Sequence, residues 1–159
     1  LAQAAAVQLQ AQVEAGAEAV QVFESWLGEL AREDLEEFSL PYLARIAESV
    51  KGVPRIIFST GTGAHLEKLA GCGFDVVSVD WRLPIAEARA RLPNVAVQGN
   101  LEPILLLGAQ ETLVARARAM LDAAARKPGY IFNLGHGILP KTPPENVKAL
   151  VDAVHAWRP

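Results

Sequence analysis

The run Tyr130-Ile131-Phe132-Asn133-Leu134 breaks into Gly135-His136-Gly137, so an apolar, β-compatible segment ends by presenting one imidazole between two glycines. An imidazole at a strand end can bind a carboxylate or move a proton, and loops carried on rigid elements are where proteins use such groups. The same spacing also suits a turn histidine bonded only to neighbouring backbone; spacing alone leaves both readings open. Other polar side chains recur in a similar position. Ser25 follows Ala19-Val20-Gln21-Val22-Phe23, Ser59 closes Arg55-Ile56-Ile57-Phe58, Asp80 closes Val76-Val77-Ser78-Val79, and Asn100 follows Val95-Ala96-Val97-Gln98.

Several familiar chemistries are disfavoured by the same residues. Thr60-Gly61-Thr62-Gly63 lies between a strand and a helix, where backbone N–H groups can cradle a phosphate. Leu66 stands where a dinucleotide fingerprint needs its third glycine, and no Gly-Lys-Ser/Thr follows, so the stretch reads as an ordinary βα loop. Phe23-Glu24-Ser25-Trp26-Leu27 lacks both glycines of a nucleophile elbow. His65, His136 and His155 are far apart in the chain and there is one cysteine, so no metal site is expected. His65 and His155 read as ordinary helix residues. Asp80-Trp81 pairs a carboxylate with a large aromatic, which suits tuned proton transfer but suits a capping or salt-bridged aspartate better. Gln98-Gly99-Asn100 reads as a sharp turn whose amides hold loops together.

The elements that must position these groups alternate regularly. The spacing predicts a helix from Leu1 to Ala17 stopped by Gly16, the strand at Ala19–Phe23, and helix from Glu29 to Ser49 interrupted near Pro41. The acidic stretch Glu33–Glu37 is expected to be a solvated helix face. Strands follow at Arg55–Ser59, Val76–Asp80, Val95–Gln98 and Tyr130–Leu134, separated by helices at Ala64–Ala70, Pro84–Arg91 and Thr112–Ala125, with Asn146–Trp157 last. Five strands alternating with helices, without hairpin signals, predict a parallel α/β sheet. An open doubly wound sheet and a (β/α)8 barrel both fit. The gathering of polar groups at strand C-termini favours the barrel, whose active sites lie at that end. Such a barrel needs about 250 residues, so the expectation is the C-terminal part, about five βα units, of a larger barrel.

The 159 residues suit one domain spanning 1–159, and a hydrophobic fraction of 51% with 21% charged residues suits a sizeable core. A net charge of -3 gives no broad reason to bind nucleic acid. No apolar run is long enough for a membrane helix, no signal-peptide layout precedes it, and the lone Cys72 suits a reducing cytoplasm. Leu1 already lies inside a helical pattern, so the beginning of the chain is expected to be absent.

Five stretches together resemble uroporphyrinogen decarboxylases: Gln10–Ala17, Val22-Phe23-Glu24-Ser25-Trp26, Val79-Asp80-Trp81, Gln98-Gly99-Asn100-Leu101-Glu102-Pro103, and Phe132–Pro140 followed by Thr142-Pro143-Pro144-Glu145-Asn146-Val147. The resemblance implies a cofactor-free (β/α)8 lyase of haem biosynthesis, usually a homodimer. It removes CO2 from the four acetate side chains of uroporphyrinogen III, giving coproporphyrinogen III. It also implies that Ser25 and His136 bind the tetrapyrrole's carboxylates, so both are expected on the rim of one cavity. The family's Arg-Gln-Ala-Gly-Arg segment, its aspartate facing the pyrrole N–H groups and its substrate-facing tyrosine have no match here, so the catalytic set lies outside this chain. Two rival readings are a zinc-dependent methyltransferase of the same superfamily and a non-catalytic half-barrel. The methyltransferases carry a His-x-Cys motif where this chain has Ser59-Thr60-Gly61-Thr62-Gly63.

Overall fold

The Ala- and Gln-rich start of the chain forms helix α1 (Ala2–Glu14) and stops where Gly16 takes a φ of +105°. The computed structural model describes residues 1–124 and 126–158. After α1 come β1 (Val20–Phe23), α2 (Arg32–Phe38), α3 (Leu40–Ser49), β2 (Arg55–Phe58), α4 (Leu66–Ala70) and β3 (Val76–Ser78). Then follow α5 (Ile85–Arg91), β4 (Ala96–Leu101), α6 (Gln110–Ala124), β5 (Tyr130–Leu134) and α7 (Pro144–Ala156). Pro41 and Pro144 sit in the first turns of α3 and α7, where a missing N–H costs nothing. The acidic face of α2 is solvated as expected, with Leu35 alone turned into the core.

Three expectations need correction. The helix expected from Ala64 is a 3-10 turn over Thr62–His65 followed by the short α4. The helix expected from Thr112 begins at Gln110, behind a 3-10 turn at Pro103–Leu107, and the expected last residue, Ala125, lies outside the described residues. Gly99 and Asn100 are not a turn beyond the fourth strand but part of it, paired with Phe132 and Asn133 of β5. The glycine is there for contact: a Cβ at Gly99 would lie 2.6 Å from the Val79 carbonyl oxygen.

All strand pairs are parallel and the order is β1-β2-β3-β4-β5. A doubly wound sheet reverses its order at a switch point and carries helices on both faces. Here the order never reverses. Val20, Ile57, Val77 and Val97, at alternate positions of their strands, join one apolar layer with Leu35 of α2, Leu43 of α3, Leu66 of α4 and Ile85 of α5. A second layer joins Leu101 to Leu113 of α6 and Leu150 of α7.

The opposite face curls in on itself. Gln98 Nε2 on β4 donates to Gln21 Oε1 on β1 at 3.2 Å and to Ser78 Oγ on β3 at 3.0 Å. In a flat sheet three strand spacings would hold β1 and β4 about 14 Å apart. The bond therefore requires strong curvature toward the helix-free face. Helices outside, sequential parallel strands and a concave interior make this sheet a partial (β/α) barrel. β5 is only half-buried, because it edges the sheet with Ile131 exposed toward the concave side.

Among the described residues no helix is long and apolar enough to cross a membrane. Cys72 lies in the helix-facing core, and burial pushes its thiol up to about 11. Because the thiolate is the reactive form, folded protein at pH 8 is expected to resist Ellman's reagent, with one thiol reacting once denaturant is added. Rapid modification of the native protein would contradict that placement.

Candidate functional site

Strand C-termini set the mouth of the concave face. β1 carries Phe23 and then Ser25, β2 carries Phe58 and then Ser59, β3 leads to Asp80, β4 holds Asn100, and β5 leads to Gly135-His136-Gly137. Phe58 ties opposite parts of this rim together. Its ring meets Phe23 edge-on at 5.8 Å and His136 edge-on at 5.9 Å. Since β2 and β5 are separated by β3 and β4, the contact again depends on curvature.

The structure thus brings the two residues expected to bind substrate to one end of the sheet. His136 is exposed and packs on Phe58; Ser25 is half-buried in the loop after β1. The Ser25 carbonyl accepts the Thr60 hydroxyl at 2.7 Å, which joins its loop to that of β2. A cavity of about 170 Å³ opens beside His136, lined by Trp81, Glu102, Ile104 and Leu139 among others. Ser25 is not among its lining residues, so the two residues lie at the same end of the sheet while this small cavity belongs to the His136 side alone.

Behind the rim lies a buried polar layer. Asn100 Nδ2 donates to the carbonyls of Asp80 and Leu83 at 2.7 and 2.5 Å, so it holds the β3 loop as its amide suggested. Asp80 is 5% exposed. Its Oδ2 accepts the Gly61 N–H at 2.7 Å, its Oδ1 accepts the Arg82 N–H at 3.0 Å, and the Arg82 guanidinium adds a charged bond. The aspartate is therefore a structural anchor, and the Gly61 N–H it engages is not available to cradle a phosphate. Arg82 also stacks on Trp81, 4.5 Å from the ring centre.

Two glycine contacts complete the mouth, and neither was visible in the sequence. A Cβ at Gly28 would lie 2.4 Å from the Thr60 carbonyl oxygen and 2.7 Å from Gly61 Cα. A Cβ at Gly135 would lie 2.6 Å from the Trp81 nitrogen. The only signal for either was the glycine itself, which cannot say what it approaches.

Residues for a metal are not assembled. Among the described residues no three His, Cys, Asp or Glu side chains come close enough to share an ion. Cys72 is buried on the helix side, and Glu67, two residues from His65, is held by Arg91 at 2.6 Å. The donor set of a zinc methyltransferase thus does not fit this mouth.

Comparison with known proteins places this geometry. The chain is 72% identical over 159 residues to a uroporphyrinogen decarboxylase of Anaeromyxobacter dehalogenans (strain 2CP-C), covering 99% of this chain and 46% of that protein. It is 49% identical over 154 residues to a uroporphyrinogen decarboxylase of Azoarcus sp. (strain BH72), covering 92% of this chain and 43% of that one. The chain therefore spans about half the length of the curated relatives it matches. Among solved structures, a methyltransferase from Methanosarcina mazei superposes with a TM-score of 0.84 at 28% identity, covering 96% of this chain and 46% of that one. The sequence model described as uroporphyrinogen decarboxylase (URO-D) matches residues 1–157, and this chain, a curled five-stranded sheet with its polar groups at one mouth, belongs to that family.

Proposed function

We propose that this chain supplies part of the active-site mouth of a cytoplasmic, homodimeric uroporphyrinogen decarboxylase, with Ser25 and His136 binding carboxylates of the tetrapyrrole. The observation that carries the reading is the Phe58 contact, which sets the His136 loop against the strand next to the one that leads to Ser25. The reaction replaces each acetate by a methyl group. The C–CO2 bond breaks, its electron pair passes into a protonated pyrrole ring, and a proton then completes the methyl group, so no metal or organic cofactor is needed. The tasks left to these residues are to orient the acetates and exclude water. The Ser25 hydroxyl and the His136 imidazole can each donate a hydrogen bond to a carboxylate oxygen. Trp81, Ile104 and Leu139 give the His136 cavity an apolar wall suited to the edge of a macrocycle.

The test is kinetic. In the full-length protein carrying this sequence, Ser25→Ala and His136→Ala are each expected to lower kcat/KM for uroporphyrinogen III by about tenfold to a hundredfold, the cost of one hydrogen bond to a charged group. Both side chains are at least partly exposed, so thermal unfolding should barely move. A His136→Ala protein that forms coproporphyrinogen III at the wild-type rate rejects the assignment.

The methyltransferase reading has one observation in its favour, the Methanosarcina mazei superposition. The loop after β2 supplies hydroxyls and glycines where zinc ligation needs His and Cys. Stoichiometric zinc in the purified protein would reverse that preference.

A further inference from the structure

The loops of Ser25 and His136 hang on one residue that neither of them touches in sequence. From the Asp80 carboxylate the path runs outward through bonds already described. Oδ2 fixes the Gly61 N–H; Gly61, at φ +67°, presses against Gly28, and its neighbour Thr60 donates to the Ser25 carbonyl at 2.7 Å. On its other side the backbone of the same residue carries the second loop. A Cβ at Gly135 would fall 3.2 Å from the Asp80 carbonyl carbon as well as 2.6 Å from the Trp81 nitrogen, so the His136 turn rests directly on the Asp80-Trp81 peptide. Asn100 pins that peptide from β4, at 2.7 Å to the Asp80 carbonyl. Loops following β1, β2 and β5 therefore converge on one buried aspartate at the end of β3.

We propose that Asp80 is a positioning residue that sets the Ser25 hydroxyl relative to the His136 imidazole, its carboxylate holding one loop and its peptide supporting the other. The proposal rests on the reading of Ser25 and His136 as substrate contacts. Asp80 is not a catalytic residue: it is buried, and both carboxylate oxygens already accept hydrogen bonds from the protein. A shift of about 1 Å in groups that orient a substrate can cost a hundredfold in rate, so a residue acting only through other loops can still matter to turnover.

Asp80→Asn keeps the shape of the side chain but turns an N–H2 group toward one of two backbone donors that sit on different oxygens. In the full-length protein it is expected to lower kcat/KM for uroporphyrinogen III by about tenfold or more. On a Ser25→Ala background the same substitution should cost clearly less than it does alone, because one of the two groups it positions is gone. Thr60→Val removes only the link to the Ser25 carbonyl and should show the same non-additivity; it also serves if Asp80→Asn does not fold. Amide resonances supply a readout independent of turnover. In Asp80→Asn those of Ser25 to Gly28 and of Gly135 to Gly137 should shift together, with faster hydrogen exchange at Gly61. Losses that multiply in the double variants, or resonances that shift at Gly61 alone, would overturn the proposal. If Ser25→Ala itself leaves turnover unchanged while both loops shift in Asp80→Asn, the positioning stands and the substrate role of Ser25 falls.

Discussion

Residues 1–159 alone, mixed with uroporphyrinogen III, are expected to form coproporphyrinogen III at least about a hundredfold more slowly than the full-length protein, the effect of losing one or more charge-assisted substrate contacts. Uroporphyrinogen III carries eight carboxylates and calls for several cationic partners. The family's paired arginines and its pyrrole-facing aspartate have no counterpart in this sequence. Two of the arginines near the mouth are already engaged: Arg82 bonds Asp80, and Arg116 bonds Glu102 at 2.5 Å. Adding the part of the Anaeromyxobacter dehalogenans relative that this chain does not cover should restore product formation. Restored turnover supports the decarboxylase reading, and turnover by residues 1–159 alone at near the full-length rate refutes the expectation. A complemented mixture that binds but forms no product would favour the non-catalytic half-barrel.

The second large effect belongs to Gly28. Its missing Cβ would lie 2.4 Å from one backbone atom and 2.7 and 2.8 Å from two others, all in Thr60 and Gly61. No flexible side chain can yield there, so Gly28→Ala must push the first two loops apart. Overpacking of this kind costs about 1–3 kcal/mol or more, which for a chain of this size is a fall in Tm of roughly 3–10 °C. Turnover should fall as well, because the displaced loop carries Ser25. Gly137→Ala is the matched control, since a Cβ there meets nothing within 4 Å; its Tm should move by less than about 2 °C. Equal Tm values for the two variants would show that the loops have more room than their spacing indicates.

What the sequence disclosed and what it hid follow from the range of the interactions. The apolar, β-compatible run from Tyr130 to Leu134 and the prolines opening α3 and α7 are local signals, and they located their elements within a residue or two. The parallel sheet followed from the alternation of elements, and the barrel from the clustering of polar groups at strand ends. Gly99 was misread because a glycine in a tight backbone crossing looks the same in sequence as a glycine in a turn; what separates them is Val79, twenty residues away. The role of Asp80 was half legible. A structural aspartate was expected, but its partner Gly61 belongs to another loop, and no spacing rule connects the two. Ser25 and His136 were proposed through resemblance; the aromatic ring between their loops became visible only with the sheet curled.

The Gln21–Gln98 bond gives the arc of strands a fixed radius. In a closed cylinder of strands, radius, stave number and stagger are not independent quantities. An amide pair reaching from β1 to β4 therefore helps dictate how many staves can make up the hoop, and replacing either glutamine with a shorter residue would loosen the circumference as well as the local contact.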